Sequence, residues 1–187
     1  MLVSIGFMIF GSLHSAGTDH EIVYSKVDGY HQGQLRSIYV SSIHQKSRDG
    51  RTLTLGPDAA KSFRDMKVAA AKDGFHLHVT SAFRTHREQR HLRETKGELA
   101  AKPGHSSHQM GKSVDIAGTT RMIGGKKNRT ILYWWLMRNG KKFGFHNDVD
   151  GETWHWTFYK NGFERKKKRT CAGDLKCKKK KNDSNNS

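Results

Sequence analysis

Ser106-Ser107-His108-Gln109-Met110-Gly111-Lys112-Ser113-Val114-Asp115 is the stretch on which the reading of this chain turns. It sets an imidazole and a carboxylate seven residues apart, with a glycine between them. A loop ending at His108, a turn through Gly111 and a strand carrying Asp115 bring both side chains to one point. A His and an Asp so spaced are common by chance, so the pair needs a third member. Glu152-Thr153-Trp154-His155 supplies it. His155 falls in a stretch, Trp154 to Tyr159, that alternates as a strand. Trp154, Trp156 and Phe158 share the core face, and His155 and Thr157 the other. Glu152 stands three residues before His155 and in a straight strand would face away from it. Asp150-Gly151 marks a bend that lets the two converge. Two imidazoles and one carboxylate suit a single zinc ion with a fourth position left open. Glu152 is then the candidate base for the attacking water. The lack of cysteine ligands suits a hydrolytic rather than a structural site.

Outward from these stretches, Arg36–Val40 and Arg51–Leu55 read as strands. Gly56-Pro57-Asp58 punctuates, and Ala59–Lys72 follows as a helix with Phe63, Met66, Ala69 and Ala70 on its apolar face and Gly74 at its end. Phe75–Thr80 reads as a strand, with Phe75, Leu77 and Val79 on one face and His76, His78 and Thr80 on the other. His76 and His78 either pair on a second metal or border the cleft or solvent. Thr85 caps a helix from His86 to about Thr95. Just before it, Arg84 either holds a substrate carboxylate or a polarised carbonyl oxygen, or is an ordinary surface arginine. Residues 96–111 read as a loop and Ser113–Ala117 as a short strand. Thr130–Asn139 reads as a helix stopped by Gly140, with Ile131, Leu132, Trp135 and Leu136 on its apolar side. Of the twelve histidines, His86, His91, His105 and His146 have no defensible partner spacing.

At 187 residues, with 34% hydrophobic content, the chain has material for one modest core. That places one domain at residues 18–163, between two appendages. Leu2–Phe10 is an apolar run followed by Ser15, Ala16 and Gly17. It is expected to be a signal peptide over residues 1–17, the alternative being a buried N-terminal strand. The run is too short to span a bilayer, which takes about 20 apolar residues. The net charge of +17 attracts polyanions. Residues 164–187 hold ten Lys or Arg against three acids and are expected to be a disordered basic tail. Cys171 and Cys177, both in that tail, are either two free thiols or, in an oxidising compartment, a small disulfide loop.

Taken together these segments resemble the VanY-type D-alanyl-D-alanine carboxypeptidases. They belong to the wider group of zinc peptidases that includes lysostaphin-type enzymes and the hedgehog signalling domain. The family's Ser-x-His-x-x-Gly-x-Ala-x-Asp pattern is met from Ser106 to Asp115, with Ser113 in place of the alanine. Its Glu-x-Trp-His is met by Glu152 to His155. Its Ser-Gly-Tyr-Arg-Ser segment is echoed from Ser81 to Thr85, with Ala82 in place of glycine, and Gln89 falls where a family glutamine follows. Pro103-Gly104 precedes the first ligand motif.

The resemblance implies that His108, Asp115 and His155 bind one Zn²⁺ and that Glu152 is the base. It also implies that Arg84 contacts substrate, with Gln89 and Ser106 lining the same site. The fold it implies is α+β: a small, mainly antiparallel sheet with helices packed on it and zinc in a cleft on the sheet. The activity is hydrolysis of peptidoglycan stem peptides in the cell envelope, after export, most directly release of terminal D-alanine. Two other readings stay open. One is an L-alanyl-D-glutamate endopeptidase of lysin type. The other is a basic polyanion-binding module with a structural metal. The basic tail suits anionic wall polymers or lipid headgroups better than nucleic acid.

Overall fold

In the computed structural model, which describes residues 23–163, the core gathers around one helix. The expected signal peptide, the basic tail and Cys171 and Cys177 lie outside the described residues. Helix α1 (Pro57–Lys72) has Pro57 in its first turn, where a missing N–H costs nothing, and Asp58 against the positive end of the helix dipole. Ala59, Ala60, Phe63, Met66 and Ala70 form its buried face. Gly74, at φ 80°, follows its end, as the sequence implies.

The strands are all antiparallel and fall into two sheets and a separate hairpin, where one small sheet was expected. The first sheet runs β1-β2-β3, built from β1 (Tyr24–His31), β2 (Gln34–Lys46) and β3 (Thr52–Leu55). The second runs β4-β5-β9-β8, from β4 (Val79–Ser81), β5 (Ser113–Ile116), β8 (Phe145–His146) and β9 (His155–Phe158). β6 (Thr120–Ile123) and β7 (Lys126–Arg129) pair only with each other. Leu55 of β3, Val114 and Ile116 of β5, Trp156 of β9 and Leu136 of helix α3 (Ile131–Asn139) join the buried face of α1 in one core. The class is α+β, as expected.

Helix α2 (His86–Lys96) begins on Thr85, whose side chain accepts from the Glu88 amide while Glu88 reaches back to the Thr85 amide. This reciprocal cap satisfies two orphan donors. The loop over 96–111 contains two single 3₁₀ turns, Gly97–Leu99 and Ser107–Met110.

Several expectations need correcting. The β1–β2 hairpin is longer than Arg36–Val40; its two-residue turn, Gln32-Gly33, has φ of 51° and 79°, the twist that hairpins favour. Of the Phe75–Thr80 stretch only Val79 and Thr80 are strand, in β4, which runs on to Ser81. The Gln45 side-chain amide takes the place of a neighbour on its outer edge, donating to the Val79 carbonyl at 2.8 Å. Trp154 is 38% exposed rather than core, because β9 starts only at His155 and the preceding turn breaks the alternation. α3 ends at Asn139 with Gly140 as its cap, as the sequence implies, but Gly140 keeps right-handed helical angles and leads into a 3₁₀ turn, Gly140–Phe143, so that the chain turns only at Gly144, φ 73°.

Two close backbone approaches place the loop that carries His108. The Gly56 amide donates to the Gly111 carbonyl at 2.8 Å. A Cβ on Gly111, which has φ 63°, would lie 2.7 Å from the Gly56 nitrogen, so only glycine fits. At the hairpin tip the Gly33 amide donates to the Gly104 carbonyl at 3.0 Å. The hairpin thereby props the loop leading to Ser106.

Candidate metal centre

β5 and β9 pair Asp115 directly with His155. Directly paired side chains start about 5 Å apart, so the sheet register itself brings these two together. His108 arrives from the 3₁₀ turn Ser107–Met110, which closes on Gly111. Asp115 Oδ1 lies 3.1 Å from His155 Nδ1 and 3.3 Å from His108 Nε2. The two ring nitrogens are 3.2 Å apart. Ligand atoms of all three residues lie within 4.8 Å of one another, the one such group among the described residues.

The outer nitrogens decide which way the rings present their lone pairs. His108 Nδ1 is 2.7 Å from the Ala82 carbonyl, which can only accept, so this nitrogen carries the proton and Nε2 is left bare. His155 Nε2 lies 3.1 Å from Thr157 Oγ1, and the Thr157 hydroxyl donates to Asp148 Oδ1 at 2.9 Å. That relay favours the proton on Nε2 and leaves Nδ1 facing Asp115. Ser113 Oγ, 2.8 Å from Thr157 and 2.6 Å from Ser107, extends the hydroxyl network. In the neutral tautomers that these bonds favour, two bare imidazole nitrogens and a carboxylate oxygen converge. Three such acceptors fit a divalent ion of the zinc type, and hydrogen-bonded outer nitrogens orient metal-ligating histidines in this manner.

The electrostatics agree. Burial opposes the charge on Asp115, but His108 and His155 more than reverse this and hold its carboxyl far below the usual carboxylate range. Burial pushes the His108 imidazole down, toward its neutral, ligating form. Burial also works against charge on His155, yet the hydrogen bond and charge of Asp115, with Asp148 and Glu152, raise its pKa. A proton and a cation would thus compete for the same side of the His155 ring, the one facing Asp115.

Glu152 sits in the turn before β9. Its amide donates to Val149 O at 3.3 Å, the His155 amide donates to Glu152 O at 3.1 Å, and Asn147 Nδ2 donates to both Glu152 O and His155 O. With Gly151 at φ 86° this bend turns the carboxylate inward, so that Glu152 Oε2 comes 4.0 Å from His155 Nδ1. Burial, aided by Asp115 and Asp148 and opposed by His155 and Arg84, raises its pKa.

Arg84 is largely buried beside the trio. Nη1 donates to Gln89 Oε1 at 2.7 Å, Nη2 to Ser81 Oγ at 2.8 Å, and Nη2 lies 3.5 Å from Asp115 Oδ2. Gln89 is buried, and its Nε2 donates to the Ala101 carbonyl at 2.8 Å. Both ends of that amide are committed to the protein, so Gln89 fixes the guanidinium. Ser106 is buried at the edge of the same cleft. The cleft, about 2030 Å³, is lined by Arg84, Ser106, His108, Asp115, Glu152 and His155 among others. His76 and His78 stand exposed and outside the convergent group.

Thr157, Asp148 and Ser107 were absent from the sequence-derived site. Thr157 alone carried a signal, since it shares a strand face with His155. Asp148 and Ser107 had none.

The VanY family, D-alanyl-D-alanine carboxypeptidase, matches residues 52–161. A Bacillus subtilis (strain 168) protein named as a carboxypeptidase, YodJ, is 33% identical over 101 residues, 47% of this chain and 36% of that protein. The chain thus spans about a third of the length of that curated relative. Among solved structures, VanYB in complex with D-alanine-D-alanine aligns at a TM-score of 0.48 and 23% identity, over 66% of this chain and 78% of that one. The LdcB LD-carboxypeptidase aligns at 0.47 and 26%, over 62% and 65%. DacB from Streptococcus pneumoniae D39 aligns at 0.45 and 20%, over 75% and 85%.

Proposed function

The chain belongs to the VanY family of D-alanyl-D-alanine carboxypeptidases, and from that premise we propose that it is a zinc peptidase releasing the terminal D-alanine of peptidoglycan stem peptides. The observation that carries this reading is the convergence of His108 Nε2, Asp115 Oδ1 and His155 Nδ1 on one point of an open cleft, with the Glu152 carboxylate beside it. Three protein ligands facing a cleft leave a position for substrate or water; a structural zinc would be closed by four.

His108, Asp115 and His155 are the proposed ligands of one zinc ion. When bound there, the ion supplies Lewis acidity to the scissile carbonyl and acidifies the attacking water. Glu152 takes the proton from that water and passes it to the leaving amine nitrogen. Its raised pKa suits both halves of this transfer. Arg84 still has free N–H donors after those given to Gln89 and Ser81, and these hold the substrate's terminal carboxylate. Gln89 and Ser81 keep the guanidinium in place, and Ser106 forms the cleft edge. Such a substrate puts the working protein in the cell envelope.

The test is release of D-alanine from a stem pentapeptide by purified protein, before and after a chelator and after zinc is restored. The expected result is release that stops with chelator and returns with zinc. Release that ignores the chelator overturns the zinc reading. Fragments ending at L-alanine, seen by mass spectrometry, replace the carboxypeptidase with an endopeptidase.

A further inference from the structure

Between Asp115 and Asp148 the chain has no acidic residue and seven Lys or Arg. All seven are exposed. This segment folds into the β6–β7 hairpin and α3, and it also exposes five large apolar side chains. Met122 and Ile123 stand on the hairpin, and Ile131, Trp134 and Met137 on the helix, between 43% and 76% exposed. On α3 the exposed three recur at every third residue, one stripe along the helix. Tyr133, Trp135 and Leu136 on the opposite side are buried.

Hairpin and helix are joined as one surface. The Thr130 amide donates to Thr119 O, and its hydroxyl donates to Gly118 O and caps the Tyr133 amide. The Arg129 guanidinium, at the end of β7, lies 4.9 Å from the Tyr133 ring centroid and 5.7 Å from that of Trp134. Past the far end of α3 come Lys141 and Lys142, both exposed.

Charge alone would take any polyanion, and apolar side chains alone any greasy partner. A protruding Trp, Ile and Met stripe, on a segment whose own charged side chains are all cations, fits an anionic lipid bilayer, while Asp73 accepts from the Trp135 indole at 2.7 Å on the opposite side of α3. The stripe enters the acyl boundary, the indole sits at headgroup depth, and Lys and Arg meet lipid phosphates. We propose that the β6–β7 hairpin and α3 form a docking face for an anionic membrane surface. The contact is peripheral, since no helix among the described residues is long and apolar enough to cross a bilayer. It is separate from the basic tail and does not depend on the peptidase reading.

The test uses the full chain and phosphatidylcholine vesicles with and without phosphatidylglycerol, some carrying bromine on the acyl chains. The expected result is binding that needs phosphatidylglycerol, with tryptophan emission quenched by acyl bromine. Trp134→Phe should remove most of that quenching. The pair Ile131→Gln and Trp134→Gln should weaken binding by roughly tenfold or more. The pair Lys141→Glu and Lys142→Glu should weaken it by at least about fivefold per lysine. It carries the test alone if the apolar pair fails to fold. Unchanged D-alanine release from a soluble peptide, or an unchanged melting temperature, shows that the variants are intact. Binding without acyl quenching, or undiminished in these variants, overturns the proposal. So does equal binding of soluble heparin competing the vesicles away, which would mark a plain polyanion surface.

Discussion

His108, Asp115 and His155 sit on backbone fixed from several sides, whereas Glu152, within 4.0 Å of them, sits on a turn with a third of its side chain exposed. Asp115 and His155 face each other across a strand pair, and His108 is held by Ala82 and by the Gly56–Gly111 contact. Glu152 depends on Asn147 and two turn hydrogen bonds. The two regions divide the work that the proposed chemistry requires. An ion needs three atoms held in a fixed geometry. A base that gives and takes a proton needs reach and a pKa lifted by partial burial.

The comparison breaks first at the ligands. His108→Ala should strip the protein of zinc and lower D-alanine release at least about 10³-fold, since the Lewis acid leaves with the ligand. Elemental analysis and the pentapeptide assay read both. Next comes Glu152→Gln, which should keep full zinc content yet lose about 10² to 10⁴ in kcat. If that variant also loses its metal, the carboxylate is a ligand and the division between the two regions fails.

A smaller effect sharpens the ligand side. Thr157→Val cuts the relay from His155 to Asp148 and should weaken zinc binding about 10- to 100-fold, measured by competition with a chromophoric chelator. The same assay has a pH dependence with a definite sign. Because Asp115 holds the His155 pKa up, protons compete with zinc below that pKa. Affinity should therefore rise as pH climbs through and above the ordinary histidine range. Affinity that is flat with pH would mean that no proton is displaced.

The smallest effects separate the two backbones. Gly111→Ala places a Cβ against the Gly56 amide in a left-handed turn and should cost about 2–4 kcal/mol of stability. Gly151→Ala has open space around it and should cost only about 1 kcal/mol, for its positive φ. Denaturant midpoints distinguish them.

The residues that converge in the candidate metal centre were legible because each lies in a short local motif that needs no knowledge of the tertiary structure. Thr85, Pro57 and Gly74 announced their helix ends for the same reason. The hairpins were not legible. The first half of β2 is exposed on most positions, and every residue of β7 is exposed, so neither shows a burial alternation. Such strands hold through backbone pairing, which side-chain identity does not reveal. Trp154 misled because alternation was extended one residue into a turn. The relay from His155 through Thr157 to Asp148 joins segments that only the folded sheet brings together. Ser113, read as a small departure from a family alanine, joins Thr157 to Ser107 in that network.

Zinc X-ray absorption on the purified, zinc-loaded protein tests the central claim most directly. About one ion per chain is expected, coordinated by two imidazole nitrogens and oxygen ligands, with no sulfur. A spectrum lacking imidazole scattering, or one unchanged when His108 and His155 are both replaced by alanine, would contradict it.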